Sequence, residues 1–101
     1  GLPSNYVNNI ISDEGGNLFC TLQQDDNGLN GGLWLWDENQ SRWLKKEIKI
    51  KLDGIEYVVN VAQIPGIDIT SGSEMIISLD GVATNFQVGG LFRNTVSGAM
   101  N

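Results

Sequence analysis

The chain has 101 residues, 41% of them apolar and 18% charged, with a formal net charge of −6; this is the composition of one globular domain and excludes a disordered chain. The acidic balance argues against a generic nucleic-acid or anionic-membrane binder, and no apolar run approaches the ~18 residues that a helical membrane span requires. Histidine is absent and Cys20 is the one cysteine, which removes imidazole catalysis, imidazole or thiolate metal sites and any intramolecular disulfide among these residues.

From residue 1 to 16 the pattern is divided. Tyr6, Val7, Ile10 and Ile11 fall at helical spacing behind Ser4, an N-capping residue type. Asn5, Asn8 and Asn9 are poor helix formers, and Asp13-Glu14-Gly15-Gly16 breaks the run. A short helix and an extended N-terminal arm fit equally well. Leu18, Phe19, Cys20 and Leu22 then read as a strand, with Cys20 a buried thiol rather than a nucleophile. Asp25 to Gly32 is turn chemistry; its oxygens do not follow calcium-loop spacing, so a plain loop is expected.

Leu33-Trp34-Leu35-Trp36 and Trp43-Leu44, separated by polar residues 37–42, predict two strands with Trp36 and Trp43 neighbours across the ladder. Alternation puts Trp34 and Trp36 on one face and Leu33 and Leu35 on the other. A strand apolar on both faces belongs in a sandwich centre or at an interface. The next segment, Glu47 to Val61, carries the strongest local signal. Asp53-Gly54 between alternating hydrophobics predicts a hairpin in which Leu52 faces Ile55, Ile50 faces Tyr57 and Ile48 faces Val59, with Lys51 opposite Glu56. A meander from Leu33 to Val61 follows from these elements.

Pro65 calls for a sheet edge or a turn. A second Asp-Gly hairpin is expected at Asp80-Gly81, with Leu79 facing Val82, Ile77 facing Thr84 and Met75 facing Phe86, ended by Gly89-Gly90. Residues 89–101 form a last strand or a C-terminal arm. The whole is an all-β single domain, a compact antiparallel sandwich or barrel of six to eight short strands with extended terminal arms.

The chemistry is mostly one of exclusion. No phosphate-cradling glycine motif is present. Asp37, Glu38, Asp53, Asp68 and Asp80 remain as carboxylates for acid–base work, yet each sits where a turn would want it, so no catalytic residue, cofactor or metal is expected. Lys45, Lys49 and Lys51 would project to one strand face as a basic stripe, with Glu47 and Glu56 near enough to neutralise it. A solvated face is the first reading of that stripe, ahead of a charge-complementary protein contact or a nucleic-acid platform. The three tryptophans are the one compositional excess, to be read as core, as a protein–protein interface or as a sugar-stacking platform.

The run Gly32-Leu33-Trp34-Leu35-Trp36-Asp37 followed by Arg42-Trp43 resembles the Trp-Asp, short polar loop, Trp hairpin of phage tail-fibre, baseplate and other virion surface proteins, over about twelve of the 101 residues. That resemblance implies a non-enzymatic virion component of the capsid-decoration (cement) or tail type, often trimeric, whose terminal arms clasp neighbouring subunits. The expected partners are other copies of the chain and other virion proteins, in a virion. The interface candidates are Trp34, Trp36, Trp43, Tyr6, Ile10, Ile11 and Phe92. The competing expectation is a secreted or cell-surface carbohydrate-binding module that uses Trp34, Trp36 or Trp43.

Overall fold

A computed structural model describes residues 2–72 and 74–96, and among them every regular element is a strand. Val7–Ser12 (β1), Leu18–Leu22 (β2), Gly32–Asp37 (β3) and Arg42–Lys46 (β4) form an antiparallel sheet in the order β1-β2-β3-β4. Lys49–Leu52 (β5) and Ile55–Val58 (β6) form a separate hairpin, and Asn60–Ile69 (β7), Met75–Ala83 (β8) and Phe86–Arg93 (β9) form an antiparallel sheet in the order β7-β8-β9. The result is a sandwich-like slab of 36 × 34 × 21 Å. The described residues form nine strands against the expected six to eight, chiefly because residues 7–12 pair with β2.

The first hairpin forms as its sequence predicts. Asp53 and Gly54 both take positive φ, 50° and 80°, and Leu52 pairs with Ile55, Lys51 with Glu56 and Ile50 with Tyr57. The Val59 N–H donates to the Ile48 carbonyl at 2.9 Å. Ile48, Ile50 and Val59 are buried, while Leu52 and Ile55 stay exposed at the tip. The expected meander stops short, because β4 and β5 lie in different sheets and the chain crosses to β7 at Asn60.

The second hairpin differs from expectation. Strand β8 runs straight through Asp80-Gly81, and the turn falls at Thr84-Asn85, so that Ala83 pairs with Phe86 and Asp80 with Gly89. Gly81 serves proximity instead of turning. A Cβ there would lie 2.5 Å from the Asn60 carbonyl oxygen and 2.9 Å from Val59 Cγ1, so only glycine lets β7 approach this closely. Running through also keeps Met75, Ile77, Leu79 and Ala83 inward as one buried row. Gly89 and Gly90 accordingly lie inside β9 rather than ending it.

Of the alternatives for each end, the extended one forms at the N-terminal side and the last strand at the C-terminal side. Residues 7–12 are an edge strand, and Asn9 ties them down: its side-chain amide donates to Thr21 Oγ1 at 3.1 Å and to the Pro65 carbonyl at 3.0 Å. Residues 89–93 belong to β9, and Val96 bridges Ile48; residues 97–101 of the expected C-terminal arm lie outside the described residues. Pro65 occupies an irregular stretch of β7, an edge strand of its sheet, where its missing N–H costs no ladder bond. The core between the layers is built from Phe19 and Leu33 above, Val61, Ile64, Met75, Ile77, Leu79, Ala83 and Val88 below, and Ile48, Ile50 and Val59 at the side.

Candidate functional site

Register decides which residues face out from the β1–β4 sheet. Phe19 pairs with Leu35 and Ile11 with Phe19, so this row turns inward to the core. The alternate row therefore turns outward: Val7, Ile10 and Ser12 on β1, Leu18, Cys20 and Leu22 on β2, Trp34 and Trp36 on β3, Trp43 and Lys45 on β4. Antiparallel sheets with one solvated face normally show polar residues there. Here Lys45 is the one charged member of that row.

The β3–β4 hairpin positions the indoles. Its turn is closed by Asp37, whose Oδ1 accepts the Asn39 N–H at 2.9 Å and the Gln40 N–H at 3.4 Å, with Ser41 at φ 50°. Trp36 and Trp43 are then direct partners across the ladder, with ring centroids 5.4 Å apart and planes at 65°, an edge-to-face contact worth ~0.5–1.5 kcal/mol beyond burial. Trp34 is fixed differently. Its Nε1–H donates to the Asn30 carbonyl at 3.2 Å, and Lys45 Nζ stands 5.8 Å from the ring centroid. All three indoles are half-buried.

Beneath them Cys20 and Leu22 are fully buried although they lie on the outward row. Burial pushes the Cys20 thiol up to about 11, which makes it a packing group and not a nucleophile. Loop residues 24–31 border this second apolar layer. Asp25 organises them by accepting the N–H groups of Asn27 and Leu29, each at 3.0 Å, and the Asn30 amide at 3.1 Å. These bonds, the one from Leu29 first, hold the Asp25 carboxyl below its ordinary range. Asp25 is thus engaged by its own loop.

The seven candidates separate cleanly. Trp34, Trp36, Trp43 and Ile10 share the outward face, where Ile10 is 60% exposed. Tyr6 stands just before β1, exposed, with its hydroxyl donating to Asp26 Oδ1 at 2.9 Å; that bond and the carboxylate charge raise the phenol above its ordinary value. Ile11 and Phe92, by contrast, turn inward and pack against the core. Strand alternation explains both, since Ile11 follows Ile10 and Phe92 pairs with the buried Ile77. The sequence reading missed Val7, whose outward place is set only by its pairing with Leu22, and Leu91, which is 76% exposed on β9.

The expected basic stripe is divided between two elements. Lys45 lies on β4 over Trp34, while Lys49 on β5 pairs with Glu47 at 3.3 Å and Glu56 at 3.6 Å. Exposed pairs of this kind contribute ~0–1 kcal/mol. No family model, curated protein or solved structure matches the chain.

Proposed function

We propose that this protein is a non-enzymatic structural component of a virus particle, of capsid-decoration or tail type, that assembles with copies of itself through the outward face of the β1–β4 sheet. One observation carries the reading: that face combines exposed Val7 and Ile10 with three half-buried indoles and a single charged residue, Lys45. Tryptophan-bearing, charge-poor surfaces are the compositional mark of the centre of a protein interface. The virion assignment rests on the resemblance of the Trp34–Trp43 hairpin to those of virion surface proteins.

The geometry favours protein contact over a flat sugar platform on this face. Lys45 stands near the Trp34 ring, and Trp36 and Trp43 lie edge to face instead of side by side. A pyranose would meet no continuous aromatic plane. The test is acrylamide quenching of tryptophan emission over a wide range of protein concentration. Self-association through the indole face makes quenching weaken as concentration rises, and quenching independent of concentration would overturn it.

A further inference from the structure

Away from the indole face, two strand edges lie side by side without pairing along their length. In the β8–β9 ladder the Asn94 N–H donates to the Met75 carbonyl, so by alternation Phe92 and Gly90 also turn their backbone groups to β8. Leu91 and Arg93 therefore point their N–H and C=O groups away from it. In the β5–β6 hairpin the Val59 N–H donates to the Ile48 carbonyl, and the same alternation turns Lys49 and Lys51 away from β6. The two outward edges join at one end, where Ile48 bridges Val96 and the Lys49 N–H donates to the Thr95 carbonyl at 2.9 Å. Among the described residues that ladder goes no further. A cleft of about 520 Å³ opens instead between residues 49–51 and 91–96.

Charge accounts for the opening. Continued in register from the Ile48–Val96 bridge, the pairing would set Lys51 opposite Arg93, and like charges directly opposite destabilise a ladder. Lys49, Lys51 and Arg93 all line the cleft, three of the six basic residues of the chain, against one carboxylate, Glu56. Lys49 is paired with Glu47 and Glu56, and Arg93 with Glu74, but these are solvated contacts that exchange partners at little cost. Lys51 forms no ion pair among the described residues. We infer that the cleft takes an extended acidic peptide segment of a partner protein as an added strand on the outer edge of β9. The Leu91 and Arg93 backbone supplies the ladder bonds, Lys51 and Arg93 meet the carboxylates, and exposed Leu91 meets an apolar side chain. A second copy offering this same edge would bring cations to cations. A nucleic acid would answer the charges and leave the strand edge unpaired. The cleft shares no residue with the indole face, so this inference stands apart from the assembly reading.

The test is ¹⁵N NMR of the full chain titrated with an acetylated, amidated pentapeptide that alternates glutamate and valine. The comparison ligands are its lysine–valine analogue, the acidic peptide N-methylated throughout, and a thymidine pentanucleotide. The expected result is saturable shifts of the Lys51, Leu91 and Arg93 amides in the millimolar range, with slowed hydrogen exchange at Leu91 and Arg93. Lys51→Gln then raises the Kd about threefold, the size of one exposed charge pair. Arg42→Gln, which removes the same charge from β4, leaves it unchanged. The inference is overturned if the acidic peptide gives no saturable shifts, or if any comparison ligand binds as tightly. It is overturned equally if exchange at Leu91 and Arg93 is unaltered in the complex, or slows with protein concentration alone, which would assign the cleft to a second copy. The molar mass of the same samples reports assembly through the indole face independently, so either idea can fail without the other.

Discussion

The outer faces of the two sheets are built on opposite rules. On the β7–β9 sheet the outward row includes Ser78 and Asp80 on β8 and Gln87 and Arg93 on β9, interrupted by Ile76, Val82 and Leu91. On the β1–β4 sheet the outward row is apolar almost throughout and thick enough to bury Cys20 and Leu22 completely. The inner faces of both sheets are ordinary core. The difference shows that one layer is finished against water and the other carries a second apolar layer of its own, made of indoles rather than of another sheet.

Four substitutions sharpen that contrast, in order of expected size. Gly81→Ala should destabilise the fold by about 1–3 kcal/mol, measured by denaturant unfolding, because its methyl group would press on the Asn60 carbonyl that β7 brings against β8. A neutral result would mean that β8 does not run through Asp80-Gly81 and that its polar outer row is mis-assigned. The Cys20 thiol gives an alkaline signature of the other sheet. The unfolded thiol ionises near pH 9, whereas the folded one stays protonated up to about 11, so the native state holds the extra proton and stability falls as pH rises between those values. Unfolding of Cys20→Ala across the same window should show a shallower decline than the parent; an identical slope would mean that the indole layer leaves Cys20 wet.

The indole contact itself is smaller. A double-mutant cycle on Trp36→Leu and Trp43→Leu is expected to return a coupling of ~0.5–1.5 kcal/mol in unfolding free energy, and zero coupling would dissolve the edge-to-face pair. Smallest is Thr84→Gly. Thr84 holds φ at 55°, where β-branched residues are strained. Relief of about 1–2 kcal/mol of that strain outweighs the ~0.4–1 kcal/mol that glycine costs through the unfolded chain, so glycine there should raise stability by up to about 1 kcal/mol. A loss instead would place the β8–β9 turn elsewhere.

Much of this architecture is legible in the residues. Asp53-Gly54 is a turn because alternation on both sides, the opposed Lys51 and Glu56 and the turn chemistry agree. Asp80-Gly81 carries the same dipeptide and misleads. Its glycine is demanded by a strand sixty residues into the chain packing across it, a long-range contact that local turn signals do not contain. The neighbouring alternation of Met75, Ile77, Leu79, Gly81 and Ala83 does hold the answer, since the inward parity continues unbroken through the dipeptide. Strand β1 was ambiguous for a related reason: its asparagines weaken a helix without specifying a partner, and only Asn9 reaching Thr21 and Pro65 fixes it as an edge. For the candidate site, the pairing of Trp36 with Trp43 was readable from the short loop between them. The exclusion of Ile11 and Phe92 was not, because it depends on which parity each strand adopts once paired.

The most direct measurement is the molar mass of the full chain by light scattering at micromolar concentration, beside that of Ile10→Asp. Ile10 lies exposed at the edge of the indole face, so a charge there should not disturb the core. The expected result is a defined multiple of the 11.0 kDa chain for the parent and 11.0 kDa for the variant, with equal melting temperatures. A parent that runs at 11.0 kDa, or a variant that stays multimeric, would contradict assembly through the indole face.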